Sequence, residues 1–409
     1  MKRSTDLIHH PYRAPTDFEA PQGGVFKAST VIFPDMAAVR SRDWMRKTGY
    51  TYGLHGTPTT FTLEERLASL EGGVHTLLVP SGLSAIAHAN LALLQQGDEV
   101  LIPDNAYAPN KALAEHELTR WGIRYQLYDP LNVDDLRQRI GAQTRLVWLE
   151  APGSVTMEFP DLIAQAQACR EKGVLCVLDN TWGAGLVFNA FDLQPGAAEP
   201  LGVDLTVHAL TKYPSGGGDV LMGSVTTCRD DLARTLKLSH MRLGFGVGAN
   251  DAELVLRSLP TMDMRYKAQD ASCREVAAWC LQQSVFAQVL HPAIATSPGH
   301  AHWRDLCADG QADSSAVHSG GSAASLLGLR FHARLSPSQI DGFCNRLKLF
   351  KLGFSWAGPI SLVVPYDLKT MRQMAEPAML EGGYVRLSIG LENPDDLIAD
   401  LSQALAALH

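Results

Sequence analysis

Short apolar runs alternate with segments of helical spacing along the first two thirds of the chain. In the segments of helical spacing, such as 61–70 and 85–94, an apolar residue recurs every three or four positions. The apolar runs predict buried strands at 74–79, 99–103, 123–128, 144–149, 174–178, 203–210 and 219–227. This alternation predicts an α/β fold whose large domain holds a mainly parallel seven-stranded sheet covered by helices on both faces.

The pattern differs towards both ends of the chain. Residues 1–60 are rich in Pro, Gly and polar residues without sustained periodicity, which is typical of an arm that lies on a partner subunit. Residues 251–281 predict a long helix interrupted near Pro260. A smaller α+β unit is predicted from the segments 321–331, 336–347, 360–365, 383–389 and 394–408, with an exposed loop at 308–322. We therefore expect an arm at 1–60, a large domain at 61–257 and a C-terminal α+β domain at 258–409.

A single lysine, Lys212, follows the apolar run 203–210 and precedes the glycines at 216–218. Its amine is expected at a strand end, beside backbone that can bend closely around a bound group. A lysine in a partly desolvated pocket has a lowered pKa and can form a Schiff base, whereas a solvated lysine stays a cation. On these residues alone, a reactive lysine and an ordinary loop lysine both remain open.

Other polar residues follow the remaining predicted strands in the same way. Sites in parallel sheets lie at the carboxyl ends of the strands. We expect five loops to converge there, which carry Ser81, Tyr107, the segment 150–154, the segment 179–182 and Lys212. A buried carboxylate at Asp179 needs a partner, which is either a protonated ring nitrogen of a ligand or an arginine or helix cap of the chain.

Two further positions suggest anion binding. Ser81 and Gly82 join a predicted strand to a helix, whose N-terminus suits a phosphate, although Ser81 can equally act only as the helix cap. Arg386 lies within the apolar strand 384–390, and a buried arginine usually has an anionic partner. A ligand carboxylate and an internal Asp or Glu are both open as that partner.

Composition restricts the class of function. The formal net charge of −8 and the pI of 5.9 argue against a nucleic-acid or anionic-membrane surface. Hydrophobic residues make up 46% and charged residues 19%, as in an ordinary soluble globular protein. Neither a secretory signal nor an apolar run of membrane-spanning length is evident, so we expect a cytoplasmic location. The seven cysteines never have C-x-x-C spacing, which predicts reduced thiols and no metal site.

Seven segments resemble, in the same order along the chain, the Cys/Met metabolism enzymes that use pyridoxal phosphate. They are 52–59, Ser81-Gly82, 104–107, 179–182, Thr211-Lys212-Tyr213 with the following Gly-Gly-Asp, Ser355-Trp356 and Arg386. The resemblance covers roughly residues 25–405, and seven segments in order are more specific than any single motif. Within this family, segment 149–158, Trp182 and Ser355-Trp356 are similar to bacterial cystathionine β-lyases.

The resemblance implies a fold-type-I, pyridoxal phosphate-dependent transferase-like architecture and a homo-oligomer, expected as a tetramer built from two dimers. It also implies the role of each residue. Lys212 would be the Schiff-base lysine and proton shuttle, Asp179 would pair with the ring nitrogen, and Tyr107 would stack on the ring as a second catalytic residue. The cofactor phosphate would be bound by Ser81, Gly82, Leu83 and Thr211, with Tyr52 reaching it from the neighbouring subunit. The substrate would contact Ser154, Ser355, Trp356, Arg386 and His55.

The implied reaction is β-elimination from cystathionine or a related S-substituted cysteine, which yields a thiol, pyruvate and ammonia. The alternatives are a γ-lyase or γ-synthase reaction in the same fold, or a non-catalytic family member. Enzymes that act on the γ-carbon more often carry Asn where Ser154 stands in this chain.

Two neighbouring positions depart from the family pattern. Family members usually carry an arginine at the position of Leu54, where it binds the cofactor phosphate across the subunit interface. We therefore expect weaker cofactor binding unless another cation takes its place. The β-lyases commonly carry an arginine at the position of His55. A neutral histidine there predicts lower selectivity for cystathionine and acceptance of smaller β-substituted substrates.

Overall fold

The computed structural model describes residues 20–308 and 320–406, together with positions 5 and 408. Most of the first 19 residues of the predicted arm, and residues 309–319 of the predicted loop, lie outside the described residues.

A seven-stranded sheet forms the centre of the larger part of the molecule. Its strands are β1 (His75–Val79), β2 (Glu99–Pro103), β3 (Arg124–Tyr128), β4 (Thr144–Glu150), β5 (Leu175–Asp179), β6 (Leu205–Ala209) and β7 (Gly223–Thr227). The spatial order is β1-β7-β6-β5-β4-β2-β3, and only the pairs that involve β7 are antiparallel. The predicted mainly parallel seven-stranded sheet is therefore confirmed.

Helices cover both faces of this sheet. The helices of this part are α1 (Met36–Ser41), α2 (Pro58–Glu71), α3 (Gly82–Leu93), α4 (Ala108–Leu113), α5 (Val133–Arg139), α6 (Leu162–Lys172), α7 (Asp230–Leu243) and α8 (Ala249–Ser258). Of these, α1 belongs to the arm and has no buried residue. α2 and α3 each begin three residues earlier than the apolar spacing predicts, because polar caps precede them. Thr57 and Thr60 form a reciprocal capping box at α2, and the Ser81 side chain caps α3.

The C-terminal part has its own sheet and core. Its elements are α9 (Met262–Cys280), β8 (Phe286–Leu290), α10 (His300–Cys307), β9 (Leu326–Phe331), α11 (Pro337–Arg346), β10 (Lys351–Leu352), β11 (Leu362–Tyr366), α12 (Leu368–Met371), β12 (Tyr384–Ser388) and α13 (Pro394–Ala406). The strand order is β10-β11-β12-β9-β8, antiparallel except for β10 with β11. Fully buried residues of α9, α11 and α13, such as Cys273, Phe343 and Leu397, pack together with residues of this sheet.

The interruption predicted near Pro260 is present, as a 3₁₀ turn (Leu259–Thr261) between α8 and α9. The sequence patterns did not indicate β8 or β10. β10 has only two residues, both exposed, and therefore carries no apolar signal. Leu149 of the large sheet and Tyr384 of β12 belong to one core cluster, so apolar packing is continuous between the two parts of the chain.

The described part of the arm, residues 20–56, lies largely on the surface. It is attached by the N–H of Phe26, which donates to the Thr59 hydroxyl (2.8 Å), and by Lys47, which forms an ion pair with Glu64 (3.0 Å). Apolar side chains of the arm remain uncovered, and Ile32 is 86% exposed. Among the described helices, none has the length and apolarity needed to cross a membrane.

A substitution at Leu205 tests how much the core around β6 contributes to the free energy of unfolding. The Leu205 side chain is fully buried in the strand that leads to Lys212. We expect Leu205→Ala to lower the free energy of unfolding by about 2–5 kcal/mol through lost burial and a residual cavity. Leu254→Ala on the exposed face of α8 is the control and should change it by less than about 0.5 kcal/mol. Urea denaturation measures both, and equal effects would contradict the assigned core.

Candidate active site

Side chains from neighbouring strand ends meet at one edge of the large sheet. Glu150 is the last residue of β4 and Asp179 the last of β5, and the two are paired in the register of these parallel strands. Lys212 lies three residues beyond β6, and Tyr107 immediately precedes α4. The charge of Asp179 acts on the pKa values of both Tyr107 and Lys212, so these three residues are close together.

The Lys212 amine occupies a mostly buried position between the two parts of the chain. Its Nζ donates to the Ser355 hydroxyl at 2.6 Å and lies 5.4 Å from the centre of the Trp356 ring. Burial and, to a smaller extent, the guanidinium of Arg386 lower the pKa of Lys212 to about 8, while Asp179 opposes the shift. An amine that releases its proton this close to neutral pH can act as a nucleophile or a base.

Asp179 is held by the residues that follow it. Its Oδ1 accepts the N–H of Thr181 at 3.1 Å and the Thr181 hydroxyl at 2.6 Å, and that hydroxyl in turn accepts the N–H of Ala209. Burial raises the pKa of Asp179, and the two bonds from Thr181 act in the opposite direction. Within the described ranges no lysine, arginine or histidine forms an ion pair with this carboxylate, which favours a ligand cation over an internal arginine.

The first turn of α3 faces β6 at very close range. A Cβ atom on Gly82 would lie 2.6 Å from Cβ of Ala209, so only glycine fits there. Ser81 uses its hydroxyl as the helix cap, accepting the N–H of Ser84 at 3.0 Å. The Thr211 hydroxyl bonds with the backbone of Met222. The free N–H groups of this turn, including that of the half-exposed Leu83, remain the groups that suit a phosphate.

Arg386 is a buried cation without a counterion among the described residues. Its side chain is 6% exposed, and Nη1 and Nη2 donate only long bonds to the carbonyls of Ser154 (3.4 Å) and Ser355 (3.3 Å). Its Nε has no hydrogen-bond partner, and no described Asp or Glu pairs with the guanidinium. Of the two predicted partners, an internal carboxylate is thus absent from the described residues, and a ligand carboxylate remains.

The segment that carries Ser355 and Trp356 has an unusual backbone. Ser355 and Ala357 have φ values of 139° and 63°, a region that costs a non-glycine residue about 1–3 kcal/mol. The conformation presents the Ser355 hydroxyl to Lys212, while the Trp356 ring packs edge-on against Tyr213 at 5.6 Å. Strained backbone that places a polar side chain beside a reactive amine is typical of an active site.

A buried ionic network lies behind this site, and the sequence analysis missed it. Arg372 donates to Asp104 at 2.8 Å and to Glu158 at 2.8 Å, joining the segment after α12 to two loops of the large sheet. Asn105 bridges the same loops, since its side chain donates to Glu158 and its carbonyl accepts the N–H of Ser154. No periodicity or motif marks Arg372, so only the structure could reveal its role.

The two arm residues predicted to belong to the site, Tyr52 and His55, do not contact the site residues of the same chain. Tyr52 is 47% exposed and pairs with Thr30 in an isolated bridge. His55 bonds with the Thr51 hydroxyl at 2.6 Å, and burial together with the nearby charge of Lys237 lowers the pKa of His55. No hydrogen bond or ring contact of Tyr52 or His55 involves Lys212, Asp179 or Arg386. Within the described ranges, no group of His, Cys, Asp or Glu side chains is arranged to hold a metal ion.

The lowered pKa of Lys212 can be measured through its reaction with an aldehyde in the presence of borohydride, followed by peptide mass spectrometry. Only the neutral amine reacts, so we expect a labelling midpoint near pH 8 for Lys212 and near 10.4 for exposed lysines. Arg386→Met removes a neighbouring positive charge and should raise the midpoint, whereas Asp179→Asn should lower it. A midpoint near 10 in the unmodified protein would contradict the buried environment of the amine.

The chain is similar to known proteins over nearly its whole length. The family model of Cys/Met metabolism PLP-dependent enzymes matches residues 4–406. The chain is 37% identical over 385 residues to the cystathionine beta-lyase of Bordetella avium, covering 93% of this chain and 90% of that protein. It is 30% identical to the cystathionine beta-lyase MetC of Escherichia coli strain K12, with 100% and 99% coverage.

Among solved structures, metB from Corynebacterium glutamicum superposes with a TM-score of 0.81 at 26% identity, covering 99% of this chain and 98% of that one. The predicted fold class and the predicted dependence on pyridoxal phosphate are confirmed, and the relatives support the prediction of a carbon–sulfur lyase. The chain belongs to the Cys/Met metabolism family of pyridoxal phosphate-dependent enzymes.

Proposed function

We propose that this protein cleaves the carbon–sulfur bond of cystathionine, or of a related S-substituted cysteine, by β-elimination to a thiol, pyruvate and ammonia. The observation that carries the proposal is the partly dehydrated Lys212 amine, 2.6 Å from the Ser355 hydroxyl and influenced by the buried guanidinium of Arg386. The cystathionine beta-lyases among the relatives favour this reaction over γ-elimination.

The residues present fit pyridoxal phosphate, which when bound supplies an electron-withdrawing ring that stabilises negative charge at the α-carbon of an amino acid. Asp179, which pairs with no described cation, would hold a proton on the ring nitrogen, and Tyr107 would stack on the ring. The glycine-requiring turn at Gly82 would bind the phosphate through backbone N–H groups, together with Ser81, Leu83 and Thr211. Tyr52 would reach the phosphate from the neighbouring subunit.

The substrate would be oriented through its α-carboxylate. Arg386 offers a buried, planar pair of donors to that group, and Ser154 and Ser355 lie beside it. The neutral Nζ of Lys212 would then take the α-proton, and its pKa of about 8 leaves a useful fraction in the neutral form near pH 7. Trp356 would exclude water on the side of the amine.

We propose a cytoplasmic homotetramer in which each chain has an arm at 1–60 that contacts a partner, a large domain at 61–257 and a C-terminal domain at 258–409. The uncovered apolar side chains of the arm, Ile32 and Phe26 among them, support a partner contact.

A product assay with purified holoenzyme tests the reaction. With cystathionine we expect pyruvate and homocysteine, whereas 2-oxobutyrate and cysteine would identify the γ-lyase alternative. Lys212→Ala should lower kcat by at least about 10²- to 10⁴-fold, the range associated with a positioned acid–base group. Absence of a cofactor absorbance band together with absence of products would favour a non-catalytic protein and would contradict the proposal.

Substrate selectivity is expected to depend on His55. Burial and the charge of Lys237 lower the pKa of His55, so this side chain is neutral near pH 7 and binds a distal carboxylate weakly. We expect kcat/KM for S-methylcysteine to approach that for cystathionine, and His55→Arg to raise the preference for cystathionine by about tenfold or more, as one charge-assisted bond allows. Preference of the unmodified enzyme for cystathionine by several orders of magnitude would contradict this.

Cofactor affinity is expected to depend on Leu54. Leu54→Arg restores a charge-assisted contact of about 1.5–3 kcal/mol and should lower the dissociation constant of pyridoxal phosphate by about 10- to 150-fold. Leu243→Arg places the same cation on the exposed end of α7 and is the matched control. Titration of the cofactor into the cofactor-free protein measures both. Unchanged affinity in Leu54→Arg would mean that another cation already binds the phosphate.

A further inference from the structure

Two carboxyl groups lie side by side at the edge of the large sheet. Glu150 and Asp179 end adjacent parallel strands and are paired directly in register. Neighbouring strands are about 4.8 Å apart and in-register side chains point to the same face of a sheet. Both residues are partly buried, yet the proposed chemistry uses only Asp179.

Glu150 holds the backbone of Tyr107. Its Oε2 accepts the N–H of Tyr107 at 2.8 Å, although 43 residues separate the two along the chain. This bond connects the end of β4 to the first turn of α4, where Tyr107 has no side-chain cap of its own. The position of the Tyr107 ring therefore depends on the position of Glu150.

None of the described charged or titratable groups around Glu150 forms an ion pair with it. Asp179 faces it from β5, Tyr128 from β3, Lys111 from α4, and the phenol of Tyr107 from the residue before α4. Lys111 donates instead to the carbonyls of Asp104 (2.7 Å) and Met371 (2.6 Å).

The two carboxyl groups differ in how well each supports a negative charge. Asp179 receives two hydrogen bonds from Thr181 and is favoured further by His208 and Lys212. Glu150 receives one backbone N–H bond, and burial followed by the charge of Asp179 raises the pKa of Glu150 well above its usual range. When two neighbouring carboxyl groups share one proton, the proton resides on the group that accepts fewer hydrogen bonds.

We propose that Glu150 is a positioning residue of the active site, which anchors Tyr107 and, as the protonated member of a carboxyl pair, leaves the negative charge on Asp179. This role rests on the proposed functions of Tyr107 and Asp179 but not on the identity of the sulfur substrate. Glu150 itself takes no part in bond breaking. Glu150 fixes the position of the Tyr107 ring. Because it is protonated, it adds no second negative charge beside Asp179.

Infrared spectroscopy of the full-length holoenzyme tests the protonation. A protonated carboxylic acid has a carbonyl band that an ionised carboxylate lacks, so the difference between the unmodified enzyme and Glu150→Gln at pH 7 should contain that band. Glu99→Gln is the matched control, because Glu99 is a buried carboxylate of the same sheet that lies at the opposite strand end and bonds with Thr144 and Gln126. A carboxylate band in the Glu150→Gln difference would overturn the proposal.

A double-mutant cycle on cofactor affinity tests the anchoring. Glu150→Ala should weaken pyridoxal phosphate binding to the full chain by about tenfold, while Glu150→Gln, which can still accept the Tyr107 N–H, should recover most of that loss. In a Tyr107→Ala background, Glu150→Ala should change the affinity by less than about twofold, because no ring remains to be placed.

Equal losses from Glu150→Ala in both backgrounds would mean that Glu150 acts independently of Tyr107 and would overturn the anchoring. Neither experiment involves turnover of cystathionine. A protein that fails the product assay can therefore still pass both tests, and a lyase that passes the assay can fail them.

Discussion

The buried guanidinium of Arg386 is the electrostatic constraint on which the site depends. An unpaired charge inside a protein is unfavourable, and this one has no described carboxylate within ion-pairing reach. Part of the low pKa of Lys212 is a direct consequence, because two positive charges share a dehydrated space. In the proposed mechanism, a substrate carboxylate bound to Arg386 would decrease this repulsion and raise the pKa of Lys212. Binding of an amino acid would thus change the basicity of Lys212 through one charge.

The remainder of the molecule keeps that arrangement in place. Arg386 and Ser355 come from the C-terminal part, whereas Lys212 and Asp179 come from the large sheet, so the site exists only when the two parts are docked. The Arg372 network and the Tyr213 hydroxyl, which bonds with Ser325 at 2.9 Å, provide polar contacts between them. The strained backbone at Ser355 is held within this docked structure.

The sequence was informative where the physical signal is local, and uninformative where it depends on register between distant segments. Buried strands appear as apolar runs, and the residues after a strand are located with it, so the local pattern was enough to place Asp179 and Lys212 at strand ends. Their roles were predicted only from the family resemblance. The pairing of Glu150 with Asp179 instead requires knowing which strands are neighbours and how they are aligned. The role of Arg372 depends on side-chain hydrogen bonds to residues more than 200 positions away in the sequence. Even the local signal at Ser81 was ambiguous, since its hydroxyl caps α3 while the same turn leaves N–H groups free.

The departures at Leu54 and His55 are changes of chemistry within an otherwise fixed turn. The backbone of the 3₁₀ turn (Gly53–His55) is held at both ends, by the Gly53 N–H donating to the Ser29 carbonyl at 2.8 Å and by Lys237 donating to the His55 carbonyl at 2.9 Å. A Cβ on Gly53 would overlap the Ala28 carbonyl oxygen, so the path of the chain is set by a glycine and not by its neighbours. None of these contacts uses the Leu54 side chain, so that position can change without altering them, whereas the His55 ring also bonds with the Thr51 hydroxyl. The side chain at position 54 can therefore differ while the backbone of the turn is held in the same way.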